Sequence, residues 1–164
     1  MLINKADKIF IAGSGGIVGS AIKRKLNANG YKNLECPSRN ELDLTNTESV
    51  NKWFGEKKPA IVILAAAKVG GIYANNKYPV DFLLENLKIQ NNVIEIAWKN
   101  GVKRLLFLGS SCIYPKSSNQ PIKEEELLKS ELEKTNEWYA IAKISGIKLC
   151  QALGKQYGFD AISL

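Results

Sequence analysis

The chain has 164 residues, 45% of them hydrophobic and 24% charged, with a formal net charge of +7. That length and balance suit one globular domain with a sizeable core and exclude a disordered or fibrous protein. The basic residues are scattered, with no run of five and little aromatic interleaving. This argues against nucleic acid and for a solvated surface that attracts a small anion.

Residues 1–8 are too short and polar for a signal peptide, and the longest apolar run, 60–67, falls far short of a membrane span. Cys36, Cys112 and Cys150 are odd in number and form no C-x-x-C pair, which fits a reduced, cytoplasmic protein. Histidine is absent altogether.

In chain order, the apolar run before Gly13 predicts a buried strand over 8–12, and a helical pattern follows from Ile17 to about residue 29, with Gly30 as its stop. Between them lie Gly13-Ser14-Gly15-Gly16-Ile17-Val18-Gly19. Such a turn brings bare backbone close to a pyrophosphate, whose charge the free N–H groups at the helix start can hold. Gly13 permits the tight turn, Gly16 removes a side chain facing the phosphates, and Gly19 lets helix and strand pack closely. The spacing G-x-x-G-x-x-G differs from the dinucleotide fingerprint G-x-G-x-x-G, although Gly15 adds a further glycine. No Gly-Lys-Ser/Thr follows to reach terminal phosphates, which argues against a P-loop.

A short second strand is expected over 34–36, ended by Pro37. An acid at that point binds the adenosine ribose hydroxyls, whereas an Arg accommodates a 2′-phosphate. Ser38-Arg39 follows the strand and favours NADP over NAD, while Glu35 is the rival inside the strand. Asp43 and Leu44, at the end of the next loop, join the cofactor-binding residues, and Thr45 or Asn46 caps a short helix to Gly55. Residues 60–64 form a third strand, a continuous apolar run typical of a parallel sheet covered on both faces. The small residues Ala65, Ala66 and Ala67 then let a cofactor lie across the sheet's edge.

A long helix is predicted over 80–100 with Leu83, Leu87, Ile94 and Ala97 on one stripe, ended by Gly101. A fourth strand over 103–108 precedes an acidic loop over 115–134 with one helical turn. Thr135 or Asn136 caps the last helix, which runs to about residue 156, and Gly158 stops it before a strand over 160–164. The alternation argues an α/β fold, a doubly wound parallel sheet with helices on both faces, and one domain spanning 1–164. An ending inside an apolar strand is the expectation for part of a longer protein.

Reactive residues follow strand four and start the last helix. Ser110 and Cys112 fall at the sheet's carboxyl edge, beside the nicotinamide end of a bound cofactor. Tyr139 and Lys143 stand four apart, hence on one helix face. An ammonium near the phenol is expected to lower its pKa, making Tyr139 a proton donor or acceptor while Ser110 or Ser111 hydrogen-bonds a substrate oxygen.

The glycine turn, the Ser after strand four and Tyr139-x-x-x-Lys143 together resemble the extended short-chain dehydrogenase/reductases acting on nucleotide sugars, whose sheet is of the Rossmann type. Ala66-Ala-Lys-Val-Gly-Gly-Ile72, Gly109-Ser-Ser-Cys-Ile-Tyr-Pro-Lys116 and Thr135-Asn-Glu-x-Tyr-Ala-Ile-Ala-Lys143 resemble, more narrowly, the GDP-L-fucose synthase family. The likeness continues through Gly146-Ile-Lys-Leu-Cys150. It implies an NADPH-dependent 3,5-epimerisation and 4-reduction of GDP-4-keto-6-deoxy-D-mannose.

In that family the residues matching Ser110 and Tyr139 assist the keto oxygen and its protonation, and the one matching Lys143 holds the nicotinamide ribose. The one matching Cys112 works with a His as the acid/base pair of epimerisation. The family's turn carries His-Arg where Ser14-Gly15 stands, and that Arg helps bind the 2′-phosphate, so Arg39 takes more of the task. The family's catalytic His and substrate lobe lie beyond the matched segment. The resemblance also implies a homodimer through the two long helices, covering apolar residues such as Leu87 and Ile141. Other nucleotide-sugar reductases, epimerases or dehydratases of the superfamily, and a non-catalytic NADP-binding module, are the alternatives.

Overall fold

The computed structural model, which describes residues 3–164, turns the apolar runs into five parallel strands. They are β1 (Ile9–Ala12), β2 (Leu34–Glu35), β3 (Ile61–Leu64), β4 (Arg104–Phe107) and β5 (Ala161–Ser163), in spatial order β2-β1-β3-β4-β5. The helices between them are α1 (Ile17–Ala28), α2 (Thr47–Lys57), α3 (Ile72–Lys77), α4 (Pro79–Lys99) and α5 (Glu137–Tyr157). The predicted doubly wound sheet is thus the one observed. Its order reverses between β1 and β3, the point at which open α/β sheets bind ligands.

Strand periodicity explains the two cores. Phe10, Val62, Leu64, Leu105 and Phe107 face one way and pack with buried residues of α2, α4 and α5. Ile9, Ile11, Ile61 and Ile63 face the other way and meet Ile22 and Leu26 of α1. A fully buried side chain such as Phe10 or Phe107 contributes about 1.5–3 kcal/mol over exposure. Register then sets the site: Ala12 pairs with Leu64, and Leu64 with Phe107. The segments after β1, β3 and β4 therefore leave the sheet side by side on one edge.

Several boundaries moved. Asn46 caps α2 by accepting from the Ser49 amide at 2.9 Å, but the helix passes through Gly55, where an added Cβ meets only open space, and ends at left-handed Lys58. Asn136 sits at the start of α5 without a side-chain cap, and Thr135 instead donates to Glu133. Helix α3 lay unseen between Gly71 and Pro79, being only six residues long.

The expected stripe on α4 is also corrected. Ile94 and Ala97 are buried as expected, but Leu83 and Leu87 are only half-buried, and Phe82, Asn86, Ile89, Gln90 and Val93 complete the inner face. Two amides in that stripe hid the periodicity. Ile141, expected with Leu87 to be exposed, is half-buried as well.

Candidate functional site

A cavity of about 740 Å³ opens at the carboxyl edge of β1 and β3, a size usual for cofactor sites. Its wall includes the whole turn from Gly13 through Ser14, Gly15, Gly16, Ile17 and Val18 to Gly19. Gly13 has φ +82°, and a Cβ there would lie 2.7 Å from the Ala66 amide nitrogen. A Cβ on Gly19 would overlap the Gly13 carbonyl oxygen, whereas Gly15 faces open space. The turn is therefore pressed onto the segment after β3 on one side and presents bare main chain on the other.

Helix α1 begins here with Gly16 as N-cap and no acid in its first turn. Its leading amides have no intrahelical acceptor, and the positive end of its dipole is uncompensated by a side chain. That arrangement fits a diphosphate. Ile17, 91% exposed, stands at the cavity's rim, where an apolar side chain gains by covering a ligand.

Arg39, Asp43, Leu44, Ala65, Ala66 and Ala67 line the same cavity. Glu35 does not; its carboxylate pairs with Lys57 at 3.6 Å. Asp43 accepts from the Thr45 amide at 2.9 Å and hydroxyl at 2.7 Å, and these bonds hold its carboxyl below the usual range. Arg39 reaches across to α4, where its guanidinium lies 3.2 Å from Glu85.

Three buried amides of α4 escaped the sequence reading. Asn86 accepts from the Lys68 amide (2.9 Å) and donates to the Lys68 carbonyl (3.0 Å), clamping the loop after β3. Gln90 donates to the Ala142 carbonyl of α5 at 2.6 Å. Asn92 donates to the Leu44 carbonyl at 2.9 Å and accepts from Thr47 at 2.9 Å. Each satisfies buried polar atoms while fixing a different segment against the helix. A polar residue at a core position of the helical repeat is the only signal the sequence held.

The reactive candidates gather one strand further along the edge and do not line the cavity itself. Ser110 caps a turn spanning Ser111–Ile113 by accepting from the Cys112 amide at 3.3 Å. Across from it, α5 carries Tyr139 and Lys143. Lys143 is 4% exposed and donates to the Leu108 carbonyl at 2.8 Å, with its ammonium 4.8 Å from the Phe107 ring centroid and 5.9 Å from that of Tyr139.

The expected lowering of the phenol is overturned. Burial pushes Tyr139 above its ordinary value, the Ser110 side chain opposes the rise and Cys112 adds to it. Burial likewise brings Lys143 down to about 8, because an ammonium out of water is the costlier form. Its nitrogen is turned to a main-chain carbonyl and lies over the Tyr139 ring. Of the free cysteines, Cys112 is half-buried in this cluster, while Cys150 is buried in the core with its thiol pushed up to about 11. No group of residues suited to a metal occurs among the described residues.

Residues 9–164 match the model of the NAD dependent epimerase/dehydratase family. The chain is 61% identical over 160 residues to GDP-L-fucose synthase 1 of Arabidopsis thaliana, covering 98% of this chain and 50% of that protein. Against GDP-L-fucose synthase of Escherichia coli K12 the identity is 54%, covering 93% and 48%. Among solved structures, a GDP-mannoheptose C4 reductase from Campylobacter jejuni with NADP bound superposes with a TM-score of 0.96 at 41% identity, covering 99% of this chain and 51% of that one. A GDP-L-fucose synthetase from Naegleria fowleri bound to NADP gives 0.85 at 26%, covering 99% and 53%. The chain spans about half the length of the curated relatives it matches.

Proposed function

The chain belongs to the NAD dependent epimerase/dehydratase family, and from that premise we propose that residues 1–164 are the NADP(H)-binding domain of a GDP-sugar epimerase and reductase of the GDP-L-fucose synthase kind. The bare glycine wall beside the Ser110, Tyr139 and Lys143 cluster carries the proposal: strand register brings the glycine turn and Ser110 to one edge, and Lys143 of α5 is tied to Leu108 there. In this reading the turn over 13–19 holds the pyrophosphate, Arg39 the 2′-phosphate, and Ala65 to Ala67 admit the cofactor over the sheet's edge.

NADPH bound in this cavity would supply the hydride for reduction at C4 of the 4-keto sugar. Tyr139 gives its phenolic proton to the developing alkoxide, and a phenol held above its ordinary value is fully protonated at neutral pH, as a donor must be. Ser110 would hydrogen-bond the keto oxygen, and Lys143 would hold the nicotinamide ribose. Protons beside a ketone are acidic enough for a side-chain base, and Cys112 takes that part in the two epimerisations.

The test is a titration of the chain with NADPH and with NADH. Arg39→Ala should weaken NADPH much more than NADH, because it removes a charge-assisted contact that only the extra phosphate makes. Equal losses would count against the assignment. For the sugar, the polypeptide carrying this domain should convert GDP-4-keto-6-deoxy-D-mannose with NADPH; consumption of a different 4-keto nucleotide sugar in its place would redirect the substrate assignment.

A cytoplasmic, homodimeric protein completes the proposal. The three free cysteines support a reducing compartment. Exposed Val80 and Leu84 on α4 and Trp138 on α5 offer apolar surface for a second copy. A monomer mass by light scattering at micromolar concentration would remove the dimer.

A further inference from the structure

Among the described residues, the cavity wall holds one cationic side chain, Arg39, against three carboxylates, Glu41, Asp43 and Glu85. Two of the three are satisfied by donors of their own loop. Glu41 accepts from the Ser38 amide at 2.7 Å, and Asp43 from Thr45. Glu85 differs, for its partners are cations: Arg39 at 3.2 Å and Lys68 at 3.7 Å.

The pair is unequal in freedom. The Glu85 side chain is 22% exposed and rooted in α4, whose neighbouring Asn86 clamps the main chain of Lys68. The Arg39 side chain is 71% exposed, on a loop. When Arg39 turns toward a ligand, Glu85 stays in the wall with its charge. We infer that Glu85 is a specificity-determining residue that competes with the ligand's 2′-phosphate for Arg39, and so holds down the preference for NADP over NAD.

The electrostatics give the direction. A carboxylate beside the guanidinium cancels much of the field an incoming phosphate would meet, and then repels that phosphate across the shared cation. NAD, with two neutral hydroxyls in place of the phosphate, meets neither effect. Orientation of Arg39 by Glu85 would have the opposite consequence, and the two can be separated. Glu85→Gln keeps an acceptor for Arg39 and removes only the charge.

This inference rests on the NADP(H) assignment above, and the experiment separates the two. The chain and its Glu85→Gln, Arg39→Ala and doubly substituted forms are titrated with NADPH and NADH by fluorescence at low salt. Glu85→Gln should bind NADPH about two- to fivefold more tightly, the worth of an exposed ion pair, with NADH unchanged. In the Arg39→Ala background the same substitution should leave at most the weaker, direct repulsion. Unchanged or weaker NADPH binding by Glu85→Gln overturns the inference alone. Equal tightening of NADPH and NADH overturns it too, by pointing to general charge. Failure of the unsubstituted chain to bind NADPH removes the cofactor assignment and the inference with it.

Discussion

The Lys143 ammonium donates to the Leu108 carbonyl across 2.8 Å, tying the first turns of α5 to the residue that follows β4. The carbonyl favours the charged form, but burial outweighs it and promotes proton loss. Folding lowers its pKa from 10.5 to about 8, so between those values the unfolded chain binds more protons and stability rises with pH. Below about pH 8 both states are charged and the folded state carries the full burial penalty. Wild type should therefore gain on Lys143→Met from pH 8 to pH 10.5, by roughly 3 kcal/mol at most, at about 1.4 kcal/mol per tenfold in proton affinity. Urea denaturation of both proteins at pH 7, 8.5 and 10 reads the difference, in which other titrating groups cancel. A constant difference would mean that Lys143 is solvated.

The glycine turn separates a packing role from an open one. Gly19→Ala drives a Cβ into the Gly13 carbonyl oxygen, and the clash is with backbone that cannot swing aside. A loss of about 2–4 kcal/mol is expected. Gly15→Ala meets nothing within 4 Å and should stay within about 0.5 kcal/mol of wild type. Similar thermal midpoints for the two variants would contradict this geometry.

Asn86 makes three hydrogen bonds from one buried side chain, two of them to the Lys68 main chain and one to the Phe82 carbonyl. Asn86→Ala leaves the Lys68 amide and carbonyl unpaired, at a cost of about 2–4 kcal/mol. The loop after β3 should then open locally, with faster hydrogen exchange at the Lys68 amide and weaker NADPH binding. Unchanged exchange at that amide would show the clamp to be dispensable.

What could be read in advance divides along physical lines. The strands are legible because β1 and β3 are buried on both faces and so appear as unbroken apolar runs. The turn is legible because glycine positions report main-chain geometry directly: Gly13 needs its positive φ and Gly19 its missing Cβ. Helix α4 was misread where Asn86 and Gln90 occupy core positions, since an amide looks like surface until its buried partner is known. The Tyr139 and Lys143 spacing placed both on one face. It could not say that the ammonium turns to Leu108, because that acceptor lies 35 residues away in sequence.

The division of labour between Tyr139 and Cys112 can be tested in the polypeptide that carries this domain. Hydride delivery to a ketone needs a proton donor at the forming alkoxide, and the half-buried Tyr139, with its phenol held above the ordinary value, suits that step. Epimerisation needs a base beside the carbons flanking the ketone, and Cys112, two residues after Ser110 and in the turn that Ser110 caps, is the candidate. Tyr139→Phe should slow reduction about a hundred- to ten-thousandfold, the usual worth of a general acid. It should leave deuterium exchange from solvent at those carbons, with NADPH unconsumed. Cys112→Ser should abolish the exchange yet allow slow reduction of the unepimerised ketone. The exchange, followed by mass spectrometry without NADPH, decides the matter. If Cys112→Ser still exchanges deuterium at the normal rate, the base is another group and Cys112 serves only to pack the turn after Ser110.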